Sequence, residues 1–326
     1  MTLTRRTLMG VAGFASLALS ARRGMAQPLR DSVIYDRIKL WPNGAPEPVP
    51  AGLTETWSER SPAPATVKDR ALKGVTAPFM DAYRPSQTNG AALLIMPGGA
   101  WRRMVWDKEG IDIASWFMSR GITCFILGYR LPPEGWASGA DAPLADAQRA
   151  MRLIRHDAKK WGIDPDRIAA MGFSAGGHLC ADLAAQFDRV TAPHSDDIDN
   201  LTARPCLAAP IYPAITLDKQ TAGLPAGEGL FGKLTTAAML VQHSPYLHIP
   251  ANAPPHIIVQ AEDDPTVAPE NALALRAALK EKKIPVETHL FEKGGHGFGI
   301  RFTTGLPVAD WPQRVLTFGA QHGWLV

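Results

Sequence analysis

Short apolar runs alternate along the chain with longer segments that carry apolar residues at helical spacing. AALLIMP (91–97) and ITCFILGYR (122–130) have the length and composition of buried strands. Between them, EGIDIASWFMSRG (109–121) has helical periodicity and ends on a glycine. Further strands are predicted at 167–174, 206–213, 256–262 and 286–293, and further helices at 143–162, 175–187 and 269–283.

This alternation predicts an α/β fold with a doubly wound, mostly parallel sheet and helices on both of its faces. Two stretches depart from the pattern. The proline-rich residues 27–66 predict an extended lead-in without regular structure, so the main domain is expected to span 67–326. Residues 214–250 fit no crossover helix and predict a small insertion over the carboxyl ends of the strands, where ligands bind in such sheets. A disordered surface loop is the alternative.

The first 26 residues have the composition of an export signal. Arg5 and Arg6 precede a short apolar stretch, which is followed by the small residues Gly24 and Ala26. The arginine pair is typical of a twin-arginine signal, and we expect cleavage after Ala26 and a periplasmic or secreted protein. The apolar stretch is shorter than the ~20 residues of a membrane-spanning helix, so the mature protein is not expected to be membrane-bound.

Charge and cysteine content exclude several classes of function. The formal net charge is +3, from 34 basic and 31 acidic residues, but four of the arginines lie in the first 26 residues. The rest of the chain is nearly neutral, so a nucleic-acid partner is not expected. Cys124, Cys180 and Cys206 are too widely spaced to predict a disulfide framework, although one bridge between two of them stays open. No spacing of His, Cys, Asp and Glu predicts a metal site.

The sequence GFSAG places Ser174 between Gly172 and Gly176, directly after an apolar run and before a helical segment. This is the pattern of a nucleophile elbow, a tight strand-to-helix turn that projects the serine oxygen from the backbone. The alternative is a glycine-rich turn that packs a helix closely against a sheet. The residues that follow in the chain favour the catalytic interpretation.

A serine nucleophile needs a base, and the base needs a carboxylate that orients it. In the elbow arrangement these residues follow the serine in the order acid, then histidine, each after a later strand. The strand at 256–262 is followed by Asp263 and Asp264, and the strand at 286–293 by His296 in a glycine-rich loop. His178 is expected to pack on its helix. His243, His248 and His256, in or beside the insertion, stay open as substrate contacts.

An oxyanion hole is the remaining requirement, and it consists of backbone N–H groups that face the developing negative charge. One donor is expected from Ala175, the residue after the nucleophile. The others are expected from MPGGAW (96–101), which follows an early strand. The candidate donors in that loop are Gly98, Gly99 and Ala100.

The segments PGGAW, GFSAGGHL, DDPTVAPEN and FEKGGHGFG together resemble the α/β-hydrolase esterases related to hormone-sensitive lipase. Within that group they are most similar to bacterial acetyl esterases and acetylxylan esterases, which are grouped with feruloyl esterases. The resemblance covers about residues 70–326 and implies an α/β-hydrolase fold with Ser174, Asp264 and His296 as the catalytic triad. Pro97 stands where many relatives have a histidine that supports the oxyanion loop, so the support of this loop is left open.

The expected function is that of an exported serine esterase that needs no metal or organic cofactor. Acetyl esters of plant polysaccharides or their fragments are the expected substrates. A broader carboxylesterase or feruloyl esterase, an aryl formamidase, a prolyl oligopeptidase-like peptidase and a non-catalytic binding protein are the alternatives. Trp101, Trp106 and Trp136 are candidates to stack on a sugar ring, with burial in the core as the competing interpretation.

Overall fold

The computed structural model describes residues 36–217 and 236–326. The predicted export signal, the first part of the lead-in and the middle of the predicted insertion lie outside the described residues. In the described ranges, no helix combines the length and the apolar character that crossing a membrane requires. Cys124, Cys180 and Cys206 are all free thiols, so no bridge joins any two of them.

Eight strands of the described chain form one sheet, and three short strands form a second sheet. The strands are β1 (Asp36–Lys39), β2 (Thr56–Glu59), β3 (Arg70–Lys73), β4 (Phe79–Tyr83), β5 (Ala92–Met96), β6 (Met104–Val105), β7 (Thr123–Gly128), β8 (Ile168–Phe173), β9 (Ala208–Ile211), β10 (His256–Ala261) and β11 (Val286–Phe291).

The large sheet has the order β1-β4-β7-β5-β8-β9-β10-β11. Strands β7, β5, β8, β9, β10 and β11 run parallel to one another, while β4 is antiparallel to β7 and to β1. Strands β5, β7, β8, β9 and β10 are buried along their whole length, so their sequences are mainly apolar rather than alternating between apolar and polar residues. The small sheet has the order β2-β3-β6.

Helices cover both faces of the large sheet, as alternate residues of one strand show. Ile257 and Val259 of β10 belong to the main core, whereas Ile258 between them packs in a second core with Leu275 and Leu279. Successive strand residues point to opposite faces, so the two cores lie on opposite sides of the sheet. The α-helices within the described residues are α1 (Asp112–Met118), α2 (Asp141–His156), α3 (Ala158–Trp161), α4 (Ala175–Ala185), α5 (Ala237–Gln242), α6 (Glu270–Glu281) and α7 (Trp311–Gln321).

The predicted doubly wound α/β fold is confirmed, and several elements differ from the prediction. The single helix predicted at 143–162 is divided into α2 and α3, and strands β3, β4 and β6 were not predicted. The lead-in, predicted to be irregular, contributes β1 to the large sheet and β2 to the small one. Strand β1 is held by Arg37, whose guanidinium donates two hydrogen bonds to the buried carboxylate of Asp81 on β4. The described end of the predicted insertion contains α5 and a short 3₁₀ turn at Pro245–Leu247.

Candidate active site

The turn between β8 and α4 leaves no room for side chains beside Ser174. A Cβ atom on Gly172 would lie 1.9 Å from the carbonyl oxygen of Gly176, and one on Gly176 would lie 2.1 Å from the carbonyl oxygen of Met96. Ser174 itself has a φ of +53°, a conformation that is rare for residues other than glycine. This crowding projects the serine side chain outward at the carboxyl end of the sheet, where it is partly exposed.

Three side chains from three loops form a continuous hydrogen-bonded chain. His296 Nε2 lies 2.9 Å from Ser174 Oγ, and His296 Nδ1 lies 2.7 Å from Asp264 Oδ2. Because a carboxylate can only accept, Nδ1 carries the hydrogen and Nε2 is free to accept the serine proton. The other oxygen of Asp264 accepts the backbone N–H groups of Thr266 and Val267, at 2.8 Å and 2.9 Å. The structure therefore brings together the serine, histidine and aspartate that the sequence analysis selected.

The neighbouring Asp263 has a different set of contacts. Its Oδ1 atom accepts the N–H groups of Gly294 and Gly295, at 2.9 Å and 2.8 Å, on the loop that leads to His296. These backbone hydrogen bonds hold the pKa of Asp263 below its ordinary value. Asp263 thus fixes the backbone of the histidine loop, whereas Asp264 contacts the imidazole.

The backbone N–H groups of the predicted oxyanion loop differ in whether they already donate a hydrogen bond. Gly98, predicted as a donor, instead gives its N–H to Oε2 of Glu109 at 2.9 Å, so this amide is already occupied. In the described chain, the N–H groups of Gly99 and Ala100 have no hydrogen-bond acceptor. Ala175 is the first residue of α4, where the N–H has no intrahelical acceptor. The candidate donors are therefore Gly99, Ala100 and Ala175.

The three tryptophans proposed for sugar contact are buried, and one of them lies at the site. Trp106 is 1% exposed and packs against Phe79, and Trp136 is 4% exposed. Neither offers an exposed ring face for a sugar. Trp101 belongs to an apolar cluster around the nucleophile. Besides Trp101, the buried members of this cluster are Ala140, Ala175, Ala214, Leu217 and Val267.

The four other histidines named from the sequence contact groups outside the triad. His178 on α4 is buried and bonds through Nε2 to the carbonyl oxygen of His243 at 2.6 Å, as packing on its helix predicts. His243 is also buried, with Nε2 3.3 Å from a carboxylate oxygen of Asp141. His256 is buried at the start of β10, and the exposed His248 bonds to a backbone carbonyl of α5. In the described ranges, no group of three or more His, Cys, Asp and Glu side chains is placed to hold a metal ion.

Four polar residues around the triad were missed by the sequence analysis. Glu109 bonds to Gly98 and also accepts the hydroxyl hydrogen of Tyr212 at 3.0 Å. Tyr129 donates its hydroxyl to the carbonyl oxygen of Pro97 at 2.7 Å. Lys108 donates to the carbonyl oxygen of Gly297, beside His296, at 2.7 Å, and burial lowers its pKa. Because charged residues at the start of a helix normally face solvent, the sequence WDKEG carried no signal of this burial.

Two family models match adjacent parts of the chain. Residues 80–205, which include the oxyanion loop and Ser174, match the model described as BD-FAE. Residues 208–319, which include Asp264 and His296, match the model of the prolyl oligopeptidase family.

The chain is also similar to curated proteins that are longer than itself. Endo-1,4-beta-xylanase B of Butyrivibrio fibrisolvens is 35% identical over 208 residues, which is 64% of this chain and 32% of that protein. The acetylxylan esterase of Xylanibacter ruminicola is 27% identical over 225 residues, or 68% of this chain and 44% of that protein. The chain thus spans less than half the length of these two relatives.

Solved structures match over most of the chain. An acetyl ester-xyloside bifunctional hydrolase from Caldicellulosiruptor lactoaceticus superimposes with a TM-score of 0.73 and 29% identity, over 89% of this chain and 97% of that one. The thermophilic esterase Est2 of Thermogutta terrifontis, with propionate bound, gives a TM-score of 0.64 and 27% identity, over 77% and 91% of the two chains. The chain therefore has an α/β-hydrolase fold and resembles acetylxylan esterases and carboxylesterases.

Proposed function

We propose that this protein is a serine esterase that works through an acyl-enzyme intermediate. The main support for the proposal is the hydrogen-bonded chain from Asp264 through His296 to Ser174, beside backbone amides that have no acceptor among the described residues. A serine hydroxyl becomes a strong nucleophile only when a base takes its proton as it attacks. All the groups required for that step meet at this end of the sheet.

The reaction proceeds in two stages. His296 takes the proton of Ser174 as its oxygen attacks the ester carbonyl, and the new oxyanion is stabilised by the amides of Ala175 and of Gly99 or Ala100. His296 then gives this proton to the departing alcohol as the ester bond breaks, which leaves the acyl group on the serine. In the second stage a water molecule loses a proton to His296 and attacks the acyl-enzyme, which releases the acid and restores Ser174.

The proposed substrates are acetyl esters of plant polysaccharides or their fragments. The proteins that this chain resembles include an acetylxylan esterase and an acetyl ester-xyloside bifunctional hydrolase. The apolar cluster of Trp101 and small alanines beside the nucleophile supports a short acyl group, because a longer chain must displace packed side chains. A polymeric substrate also fits the predicted export of the protein, and we propose a periplasmic or secreted location.

A peptidase is the second candidate, because residues 208–319 match the prolyl oligopeptidase family model. Such a peptidase would use the same triad on an amide bond. A formamidase that acts on an aryl formamide is a further alternative within the same chemistry. Amides and esters differ in the leaving group, so one substrate panel distinguishes these activities.

The purified protein should be assayed on acetylated xylan, on p-nitrophenyl acetate, butyrate and octanoate, on feruloyl esters, and on a prolyl p-nitroanilide. We expect kcat/KM for acetyl esters to exceed that for butyryl esters at least about tenfold, because the two additional methylenes of a butyryl group must displace packed side chains. Ser174→Ala should lower kcat by about four to six orders of magnitude. Faster cleavage of the prolyl anilide would identify a peptidase, and faster cleavage of octanoyl or feruloyl esters a broader carboxylesterase.

A further inference from the structure

Three consecutive charged residues, Asp107, Lys108 and Glu109, are buried in a single turn beside the active site. The turn spans Asp107–Ile111 and has the wide π-helical spacing that is frequent at functional sites. Asp107 is paired with Arg70 on β3, and Lys108 bonds to the histidine loop. Glu109 is only 3% exposed. Removing a carboxylate from water is unfavourable unless hydrogen-bond donors replace the water, so Glu109 requires specific partners.

Glu109 connects two separate parts of the catalytic centre. Its Oε2 atom accepts the N–H of Gly98 in the oxyanion loop at 2.9 Å. Its Oε1 atom accepts the hydroxyl of Tyr212, which follows β9, at 3.0 Å. Each oxygen of this carboxylate therefore binds a different loop, and one side chain sets their relative position.

The contact with Gly98 orients the amide that follows it. The carbonyl oxygen of Gly98 accepts the N–H of Val105 at 2.8 Å, so both polar groups of Gly98 are fixed. Because the peptide unit is planar and trans, the N–H of Gly99 must point away from that carbonyl. A Cβ atom on Gly98 would lie 3.0 Å from Cβ of Ser174, so this peptide stands directly beside the nucleophile.

The contact with Tyr212 supports the base. The ring of Tyr212 packs edge-on against His296, with centroids 5.1 Å apart, and against Phe298 at 4.6 Å. Tyr212 has a φ of +38°, which is strained for a bulky residue, so its surroundings must hold it. The hydrogen bond to Glu109 fixes the hydroxyl end of the Tyr212 ring. The ring itself packs against His296 and limits the tilt of the imidazole.

We propose that Glu109 is a positioning residue for the esterase reaction. It fixes the orientation of the Gly99 and Ala100 amides and of the His296 ring relative to Ser174. This role rests on the proposed function. It also accounts for Pro97, which occupies the position of the supporting histidine in the resembling family. In this chain, the support comes from Glu109 on the amide side and from the Tyr129 hydroxyl on the carbonyl of Pro97.

The test compares Glu109→Leu, Glu109→Gln and Tyr212→Phe in the full-length protein with p-nitrophenyl acetate. Leucine has no acceptor, so kcat should fall by about 30- to 300-fold with KM within about threefold, close to the loss of one oxyanion donor. Glutamine can still accept from Gly98 and can donate to the Tyr212 hydroxyl, so it should recover most of that loss. Tyr212→Phe removes one of the two contacts and should lower kcat by about fivefold or more.

Two measurements separate positioning from simple loss of folded protein. A p-nitrophenyl phosphonate titrates reactive Ser174, and kcat is expressed for each titrated site. The inhibition constant of a trifluoromethyl ketone, which forms an oxyanion on the serine, should rise in proportion to the loss of kcat/KM. Asp81→Asn, which alters a buried carboxylate paired with Arg37 on β1, is the matched control and should leave kcat per site within about twofold.

Unchanged kcat per site and ketone affinity in Glu109→Leu, or in Tyr212→Phe should the leucine variant not fold, would overturn the proposal. Equal losses in Glu109→Gln and Glu109→Leu would also overturn it, because they would assign the effect to charge rather than to hydrogen-bond geometry. If the unmodified protein neither reacts with the phosphonate nor hydrolyses any ester, the proposed function itself fails. These outcomes are distinguishable because the last one is seen before any variant is made.

Discussion

Asp263 and Asp264 are adjacent in the sequence but contact different parts of the candidate active site. Asp264 has a fully buried side chain that contacts the imidazole of His296, whereas Asp263 is exposed and binds backbone amides of the histidine loop. The sequence motif alone offered both residues after the strand, and the family resemblance selected Asp264. The different partners of the two carboxylates make a matched pair of variants possible.

Asp264→Asn should lower kcat by about 10³–10⁴-fold, whereas Asp263→Asn should lower it less than about tenfold. The two N–H donors of Thr266 and Val267 hold the carbonyl oxygen of an asparagine, which turns its NH₂ group toward His296. The imidazole must then accept at Nδ1 and carry its hydrogen on Nε2, where it cannot take the serine proton. In the Asp263 variant, the amide oxygen still accepts from Gly294 and Gly295.

Steady-state kinetics on p-nitrophenyl acetate measures both variants, with phosphonate titration to count the active sites. A larger loss for Asp263→Asn than for Asp264→Asn would contradict the assignment of the orienting acid. Equal small losses would show that His296 does not depend on a carboxylate partner.

At the scale of single elements, the predicted oxyanion loop supplies Trp101, which we propose limits the length of the acyl group. Ala100 and Trp101 have φ values of +57° and +55°, so two successive residues adopt the left-handed conformation. This backbone turns the indole of Trp101 back over α4, where it packs edge-on against His178 with centroids 5.4 Å apart. The ring thereby packs in the apolar cluster that also contains Ala175.

Trp101→Ala should increase the ratio of butyryl to acetyl kcat/KM at least about tenfold, because removal of the indole opens space for added methylenes. The measurement uses p-nitrophenyl acetate and butyrate with the same enzyme preparation. Trp57→Ala, which changes a partly exposed tryptophan on β2, should leave the ratio unchanged. An unaltered ratio in Trp101→Ala would show that another part of the site limits the acyl chain.

The strands and helices were predictable wherever one periodicity extended over a whole element. Strand β8, α4 and the loops after β10 and β11 follow directly from the pattern, and with them the three candidate catalytic residues. Strand β1 was missed because its four residues, DRIK, alternate between half-buried and exposed positions and are held by a distant partner, Asp81. The burial of Glu109 was missed for the same reason, since its partners are on other loops.

At the scale of the whole molecule, the first prediction concerns where the protein works. Changing Arg5 and Arg6 to lysine should leave the uncleaved precursor in the cytoplasm of the producing bacterium, because the twin-arginine route reads the arginine pair. Cell fractionation with an antibody to the folded domain measures this, and Arg22→Lys with Arg23→Lys serves as the matched control. Export that continues unchanged would point to the general secretory route or to another signal.

The second prediction concerns stability against acid and depends on a buried histidine. His256, the first residue of β10, donates from Nδ1 to the carbonyl oxygen of Pro254 at 2.7 Å, and its buried Nε2 atom has no hydrogen-bond partner in the part of the chain that the structure describes. Burial lowers the pKa of His256 from 6.5 to about 4, because a protonated ring there would be poorly solvated. The folded state therefore holds this ring neutral over a pH range in which the unfolded chain takes up a proton.

The sign of the effect follows from proton uptake. Between about pH 6.5 and pH 4 the unfolded state binds more protons, so the free energy of unfolding falls as the pH is lowered through this window. Across this whole window, the titration of His256 lowers the free energy of unfolding by about 3 kcal/mol. Above pH 6.5 both states are neutral and this contribution is fully present.

His256→Asn should remove this slope, because an amide does not titrate. Chemical denaturation at several pH values between 8 and 4 measures the free energy of unfolding of both proteins. The advantage of the unmodified protein over the variant should shrink by about 2–3 kcal/mol toward the acid end. His194→Asn, at an exposed position, should follow the unmodified protein at every pH. Parallel curves for His256→Asn and the unmodified protein would show that folding does not shift the pKa of this ring and that other groups control acid unfolding.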